Sequence, residues 1–433
     1  MSSESLLDGD PVPGGVFIAG GRDRYPDDVV VREGSGPYVV DGSGQRYVDY
    51  VMGGGPMLVG HAHPHVVQAI QEQAERGTAF YLSSEPAFEF AERIVEAVPC
   101  AEQVHFTSTG SEATYFALRL ARAHTGREKV LKFAGAYHGF HDFVMTSSTF
   151  ADDEELLATE PPAGTRDSAG LVEGAVEETL VAQYNDVECT REVVEDHAED
   201  LAAIIVEPIQ RVVEPVDGFL EELRSLCDEH GIVLIFDEVV TGFRVAYGGA
   251  QEYYGIEPDL AAYGKGLGGG TPVGAIAGPR EILSVSDPTV PKSEGGAPVF
   301  GTLNGNPLCA VAGNATLDVL SRPGTYRALH DYGDRFRTMI DEVIADSPLS
   351  GTALGVGPVV SYALTDAGEV TRWETLVGAD KETQRRIDAA MVDHGVTQVL
   401  GSKRYVSTEH GDEELELTEE AFKRAVEDVA RSR

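Results

Sequence analysis

Lysine is scarce in this chain. Only seven of its 33 basic residues are lysine, against 72 acidic residues, and the formal charge is −39. A nucleic-acid backbone would be repelled by such a surface, so direct nucleic-acid binding is disfavoured. The acid lies in short clusters, Asp152 to Glu155, Glu173 to Glu178, Glu195 to Asp200 and Asp412 to Glu416, which read as solvated surface rather than a docking patch. Cysteine is equally sparse. Cys100, Cys189, Cys227 and Cys309 form no CxxC pair and no short spacing, so they read as isolated thiols in a reducing compartment, not as a disulfide framework or a metal site. Apolar runs approaching the ~20 residues that cross a bilayer are missing. The polar stretch Met1 to Asp10 lacks the features of a signal peptide. The expectation is a cytoplasmic protein without membrane contact.

The 433 residues can bury a large core. From about residue 100 the pattern alternates between strand and helix. Short apolar strands at Val104 to Phe106, Lys129 to Phe133, Leu201 to Val206 and Ile232 to Phe236 are separated by helical periodicity at Thr114 to His124 and Leu220 to His230. That order predicts an α/β fold with a mostly parallel, doubly wound central sheet. The expected division is an N-terminal segment over 1–60, a large domain over 61–320 and a C-terminal domain over 321–433, with the two ends forming a smaller α+β domain. Gly60-His61-Ala62-His63-Pro64-His65 places three histidines two apart, but they straddle a proline and share no helix face, so no metal is expected there.

The chemistry gathers around Asp237 and Lys265. Leu234-Ile235-Phe236-Asp237 is an apolar run ending in a carboxylate, which places that carboxylate at the carboxyl end of a buried strand, where α/β proteins put ligands. Lys265 follows a second apolar run, Leu260-Ala261-Ala262, and is flanked by glycines that leave its amine room. An acid and a lysine at successive strand ends suit pyridoxal phosphate, which needs a protonated ring nitrogen and an imine link. Two other classes fit worse. P-loop chemistry needs G-x-x-x-x-G-K-[ST], and the chain has neither that glycine spacing nor a hydroxyl after Lys265. Gly264, Gly266 and Gly269 satisfy G-x-G-x-x-G, but Thr271 to Ala277 follows as a strand, whereas the dinucleotide fingerprint opens a helix. Hydroxyl residues and a glycine in Thr107-Ser108-Thr109-Gly110-Ser111 stand before a helix, a place for a phosphate or for an ordinary N-cap.

Several motifs together resemble the class III, fold type I, pyridoxal-phosphate-dependent aminotransferases, in their glutamate-1-semialdehyde aminomutase-like branch. They are Asp237-Glu238-Val239-x-Thr241-Gly242-Phe243-Arg244, Gly264-Lys265, Gly301-Thr302-Leu303-Asn304-Gly305-Asn306-Pro307, Tyr137-His138-Gly139 and Thr125-Gly126-Arg127-Glu128-Lys129. The resemblance implies that Lys265 carries the cofactor covalently and moves the substrate proton. It also implies that Asp237 holds the pyridine nitrogen protonated and that Val239 and Tyr137 cover the two ring faces. By the same resemblance Thr109, Gly110 and Ser111 bind the phosphate, and Glu207 matches an acid near the cofactor. Thr302 is implied to reach the phosphate of a neighbouring subunit in a homodimer. The lysine-poor, acidic composition is similar to that of proteins from salt-loving archaea, where salt screens the repulsion.

The substrate side departs from the aminomutase. Its Gly-Asn-Met-Asn after the Glu-Pro is replaced by Ile209-Gln210-Arg211-Val212-Val213, and its N-terminal Asn-Ser-Pro-Val-Arg by Val16 to Arg24. Where aminomutases carry Ser-Gln-Phe-Glu-Ala, the chain has Ser402-Lys403-Arg404-Tyr405-Val406, with arginine on or beside the glutamate. An arginine grips a carboxylate bidentately. The expected activity is therefore an aminotransferase moving an amino group from an acidic or β-amino acid to a keto acid. Arg404, and Arg22 or Arg24, would bind the carboxylate. The alternative is the aminomutase, which moves the amino group within one molecule to give 5-aminolevulinate.

Overall fold

The computed structural model describes residues 29–148, 157 and 160–431. The chain divides into two units. One is built from residues 65–322 with a short return, 371–377, and the other gathers both ends of the chain, up to 64, 323–370 and 378–433. The end-gathering unit begins with an antiparallel meander of β1 (Val31–Ser35), β2 (Tyr38–Asp41) and β3 (Arg46–Asp49). Asp41 shapes the β2–β3 turn, its carboxylate accepting the N–H groups of Ser43 and Gln45 at 2.8 and 3.0 Å. The sequence pattern gave no sign of β1, which carries one apolar side chain and is mostly exposed.

The large unit is organised by a seven-stranded sheet. Its strands are β4 (Gln103–Thr107), β5 (Lys129–Phe133), β6 (Thr179–Ala182), β7 (Leu201–Val206), β8 (Val233–Asp237), β9 (Leu260–Tyr263) and β10 (Gly274–Gly278). They lie in the order β4-β10-β9-β8-β7-β5-β6, and β10 alone runs against the rest. Strands β7, β8 and β9 are buried along their whole length, as their unbroken apolar runs require. Ala203 and Ile205, Val233 and Ile235, and Leu260 and Ala262 alternate onto one face and join a core with the helix Gly110–Thr125. That helix lies close to the sheet because Ala113, Ala117 and Ala121 recur once per turn on its buried side. With six strands running the same way, the carboxyl ends of β4, β5, β7, β8 and β9 all open on one rim of the sheet. Ligands of doubly wound folds bind on that rim.

The C-terminal part returns to the end-gathering unit. A helix over Thr325–Ala345 leads to β11 (Thr352–Leu354) and β12 (Val359–Ala363), and β13 (Val396–Thr397) pairs in parallel with β3. The last strand, β14 (Arg404–Tyr405), adds to β12. Both ends of the chain thus share one sheet, order β1-β2-β3-β13. No described helix is long and apolar enough to cross a membrane.

Candidate active site

Five strand ends deliver the site. Asp237 is the last residue of β8 and is almost fully buried. Its Oδ2 lies 2.7 Å from Nδ1 of His138, and its Oδ1 accepts the N–H of Val239 at 3.0 Å. His138 is itself buried, and its Nε2 has no hydrogen-bond partner among the described residues. An acid bonded this way keeps a fixed orientation. The next residue, Glu238, has a different task. It is fully buried and accepts the N–H groups of Ala250 and Gln251 at 2.9 and 3.1 Å and the hydroxyl of Thr241. It staples the loop after β8, so Asp237 and Val239 stay in place, and burial pushes its own carboxyl upward.

Lys265 follows β9 and starts a single 3₁₀ turn, Lys265–Gly268. Its φ is +41°, a left-handed conformation uncommon for a residue with a side chain. Burial pushes its amine down to about 8, with Asp237 and Glu207 pulling upward and Arg211 and Arg244 pushing further down. A neutral, nucleophilic amine is therefore well populated near pH 8. Among the described residues the amine makes no hydrogen bond.

The helix Gly110–Thr125 opens four residues before its apolar periodicity does, because a capping box starts it. The Thr109 hydroxyl accepts the N–H of Glu112 at 3.1 Å, and the Glu112 carboxylate accepts the N–H groups of Ser108 and Thr109 at 2.7 and 3.1 Å. The N-cap reading of this stretch holds, and it leaves room for an anion at the helix start. The cap uses the Thr109 side chain, and the first-turn N–H groups of Gly110 and Ser111 remain for an anion. Gly110 has to be glycine, since a Cβ there would lie 2.8 Å from Cγ2 of Val239. Gly264 comes to the same place, with 3.4 Å from its Cβ position to Cγ1 of Val239. The strand ends carrying Asp237, Gly110 and Lys265 therefore converge on Val239.

Tyr137 and Glu207 come from β5 and β7. Glu207 accepts the N–H of Tyr137 at 3.2 Å, which makes it a holder of Tyr137. The Tyr137 phenol is pushed up to about 12 by burial, although a hydrogen bond with Ser111 and the charge of Arg211 oppose the rise. Thr302 is exposed on the Gly301 to Asn306 loop. That loop approaches Ser108 through Asn304, at 3.4 Å.

Profile comparison places Aminotransferase class-III on residues 19–408. The chain belongs to this family. It is 41% identical over 424 residues to glutamate-1-semialdehyde 2,1-aminomutase of Methanopyrus kandleri, covering 96% of this chain and 94% of that one. The enzyme of the same name from Salinibacter ruber is 41% identical over 406 residues, covering 92% and 90%. Among solved structures, a transaminase with pyridoxal phosphate bound superposes with a TM-score of 0.89 at 30% identity, covering 99% of this chain and 98% of the other.

The residues of this class-III chain suit that cofactor. The N–H groups at the start of the helix Gly110–Thr125 would suit a phosphate, the Lys265 amine an aldehyde, and the Asp237 carboxylate held by His138 a ring nitrogen. His138 lies within the Tyr137-His138-Gly139 motif, and no local pattern marks its role. The signal available was a histidine in the turn after a buried strand; its partner is 99 residues away.

Arg404 is a correction. It is 1% exposed, pairs with the fully buried Asp388, and lies over the Tyr362 ring at 4.9 Å. Asp388 also accepts the Tyr362 hydroxyl at 2.9 Å and the N–H of Gly401 at 2.6 Å. The guanidinium is thus committed to a core carboxylate, leaving none of it to grip a substrate. Arg22 and Arg24 lie outside the described residues.

Proposed function

We propose that this class-III enzyme moves an amino group within one molecule, converting glutamate-1-semialdehyde to 5-aminolevulinate. The observation carrying the choice is that the two relatives sharing 41% of their residues with nearly the whole chain both bear the aminomutase name. The competing expectation, transfer to a separate keto acid, rested on Arg404, which is now a core residue. It keeps the support of solved transaminases at 30% and 31% identity.

The cofactor is pyridoxal phosphate, which when bound supplies an electron sink for the electrons left as the amino-bearing carbon loses its proton. Everything else is done by the chain. Lys265 would hold the cofactor covalently and, once released with its amine depressed toward neutrality, would take up and give back the proton of the amino-bearing carbon. Asp237, oriented by His138, would keep the proton on the ring nitrogen. Val239 and Tyr137 would cover the ring faces, and the N–H groups of Gly110 and Ser111 would serve the phosphate.

A homodimer belongs to this proposal. Tyr81 and Leu82 are 84% and 82% exposed, and with Phe80, Phe88 and Thr302 they line a cavity of about 340 Å³. Exposed apolar surface of that kind marks an interface, and a second subunit seated there would meet Thr302.

The test is a pair of assays on the holoenzyme in high salt. The proposal expects 5-aminolevulinate from glutamate-1-semialdehyde with no keto acid present. Amino transfer from a panel of donors to 2-oxoglutarate, with no 5-aminolevulinate formed, would sink it.

A further inference from the structure

We propose that Trp373 is a positioning residue for the cofactor site, sealing the turn at Gly135 that aims Tyr137 and His138. The proposal deepens the functional reading above and rests on it for the roles of those two residues.

Strand β5 ends at Phe133, and the chain turns at once to bring Tyr137 and His138 to the rim of the sheet. The turn is Phe133-Ala134-Gly135-Ala136, closed by the N–H of Ala136 on the carbonyl of Phe133 at 3.1 Å. Gly135, at its third position, has a φ of +80°, the value a type II turn takes there. Hydrogen bonds fix the turn's backbone. The carbonyl of Ala134 accepts from Gln210 Nε2 at 2.6 Å, that of Ala136 from Lys132 Nζ at 3.2 Å, and the N–H of Gly135 donates to the carbonyl of Ser147 at 2.8 Å. The side-chain face of the glycine is covered by Trp373. A Cβ on Gly135 would lie 2.3 Å from the indole, so the ring rests directly on it. Ala134, Val181 and Val377 complete the cluster around the ring.

Trp373 arrives on a segment with its own clamp. Thr371–Val377 belongs to the large unit, although the residues on either side of it do not. Asn185 holds this segment. Its Nδ2 donates to the carbonyls of Thr371 and Glu214 at 2.7 and 2.8 Å, and its Oδ1 accepts the N–H of Val216 at 3.0 Å. Asp186 adds an ion pair with Arg372 at 3.0 Å. The buried indole N–H, by contrast, has no partner among the described residues. The ring is therefore kept for its shape against the glycine. Close-packed interiors pass small displacements on, and Ala136 alone separates Gly135 from Tyr137. The Tyr137 N–H donates to Glu207 at 3.2 Å, and His138 Nδ1 lies 2.7 Å from Asp237. Releasing the indole would loosen the turn and, with it, both of these contacts.

The test compares full-length variants as apoprotein and loaded with pyridoxal phosphate. It reads the visible circular dichroism of the bound cofactor per loaded site, the cofactor affinity, and the emission of Trp373, the chain's single tryptophan. Trp373→Ala should weaken the dichroism and raise the cofactor dissociation constant about tenfold. Turnover per loaded site should fall about tenfold to a hundredfold. Trp373→Phe, which keeps a ring on the glycine and deletes the unpartnered N–H, should restore most of each value. Asn185→Ala leaves the indole but removes its clamp, so apoprotein emission should move to the red and the dichroism should fall with it. Met339→Ala, a core deletion in the other unit, should lower the melting temperature and leave dichroism and affinity unchanged.

A lower melting temperature in Trp373→Ala with wild-type dichroism and affinity would overturn the proposal. So would equal dichroism losses in Met339→Ala, a phenylalanine variant as impaired as the alanine one, or an Asn185→Ala emission that stays put or moves without the dichroism. Should Trp373→Ala fail to fold, the phenylalanine and Asn185 variants decide. The full pattern without 5-aminolevulinate production would remove the aminomutase reading and leave Trp373 standing. Production of 5-aminolevulinate, with dichroism and affinity intact in the variants, would remove Trp373 alone.

Discussion

Two buried lysines separate what is catalytic in this protein from what is structural. Burial pushes the amines of Lys132 and Lys265 down to about 8, so their acidity does not tell them apart. Their bonding does. Lys132 is fully buried within β5, and its Nζ donates to the carbonyls of Ala136 and Thr146 at 3.2 and 2.5 Å. It ties together the two ends of the segment that carries Tyr137 and His138. Lys265 stands at a strand end between glycines, in a strained conformation, with no hydrogen bond among the described residues. A perturbed pKa is a property of burial, while an unbonded donor in a polar site signals a partner still to come.

Substitutions should drive the two lysines apart. The largest effect is expected from Lys265→Ala, which should cut turnover on the order of 10⁴-fold or more while the melting temperature holds or rises. A comparable fall in stability would put Lys265 in the structural class. Next comes Arg404→Met, a control for buried charge outside the site. Leaving Asp388 uncompensated should cost about 3–5 kcal/mol in chemical denaturation, with KM per folded site unchanged; a KM rise specific to acidic substrates would restore Arg404 as a substrate residue. Lys132→Met should cost about 1–3 kcal/mol, because two buried carbonyls lose their donor, and should reduce turnover far less than Lys265→Ala. The smallest effect is on pH dependence. For both lysines the folded pKa, about 8, lies below the ordinary 10.5 of an unfolded chain. Between those values the unfolded chain binds more protons, so apoprotein stability should rise with pH across that window and be at its lowest contribution below it. Either substitution should flatten the rise. Denaturation at stepped pH checks this, and an unchanged slope in both variants would mean that neither amine is depressed.

Much of this was legible in the sequence, for local reasons. Apolar runs ending in Asp237 or followed by Lys265 announce strand ends, and the strand–helix alternation announces parallel order, so the rim of the sheet could be placed. Reading Thr271 to Ala277 as a strand instead of a helix anticipated β10, but its reversed direction comes from its pairing with β4 and β9. What failed was long-range pairing. Asp388 is 16 residues from Arg404 on another element, and no local pattern says that the two close on each other. His138 with Asp237 is the same case. The segment Thr371–Val377, which rejoins the large unit, was also invisible. It docks by Trp373 against Gly135, where a Cβ would lie 2.3 Å from the indole ring, and such fit is a property of packing instead of periodicity. Glu238 stands beside Asp237 in one motif, but its burial makes it the loop's staple, a distinction only the fold draws.

The most direct measurement is covalent trapping. Purified protein would be loaded with pyridoxal phosphate, reduced with borohydride, digested and mapped by mass spectrometry. The phosphopyridoxyl mass is expected on Lys265 alone, and lost in Lys265→Ala. Labelling of Lys132, or of neither lysine, would contradict the assignment of the site.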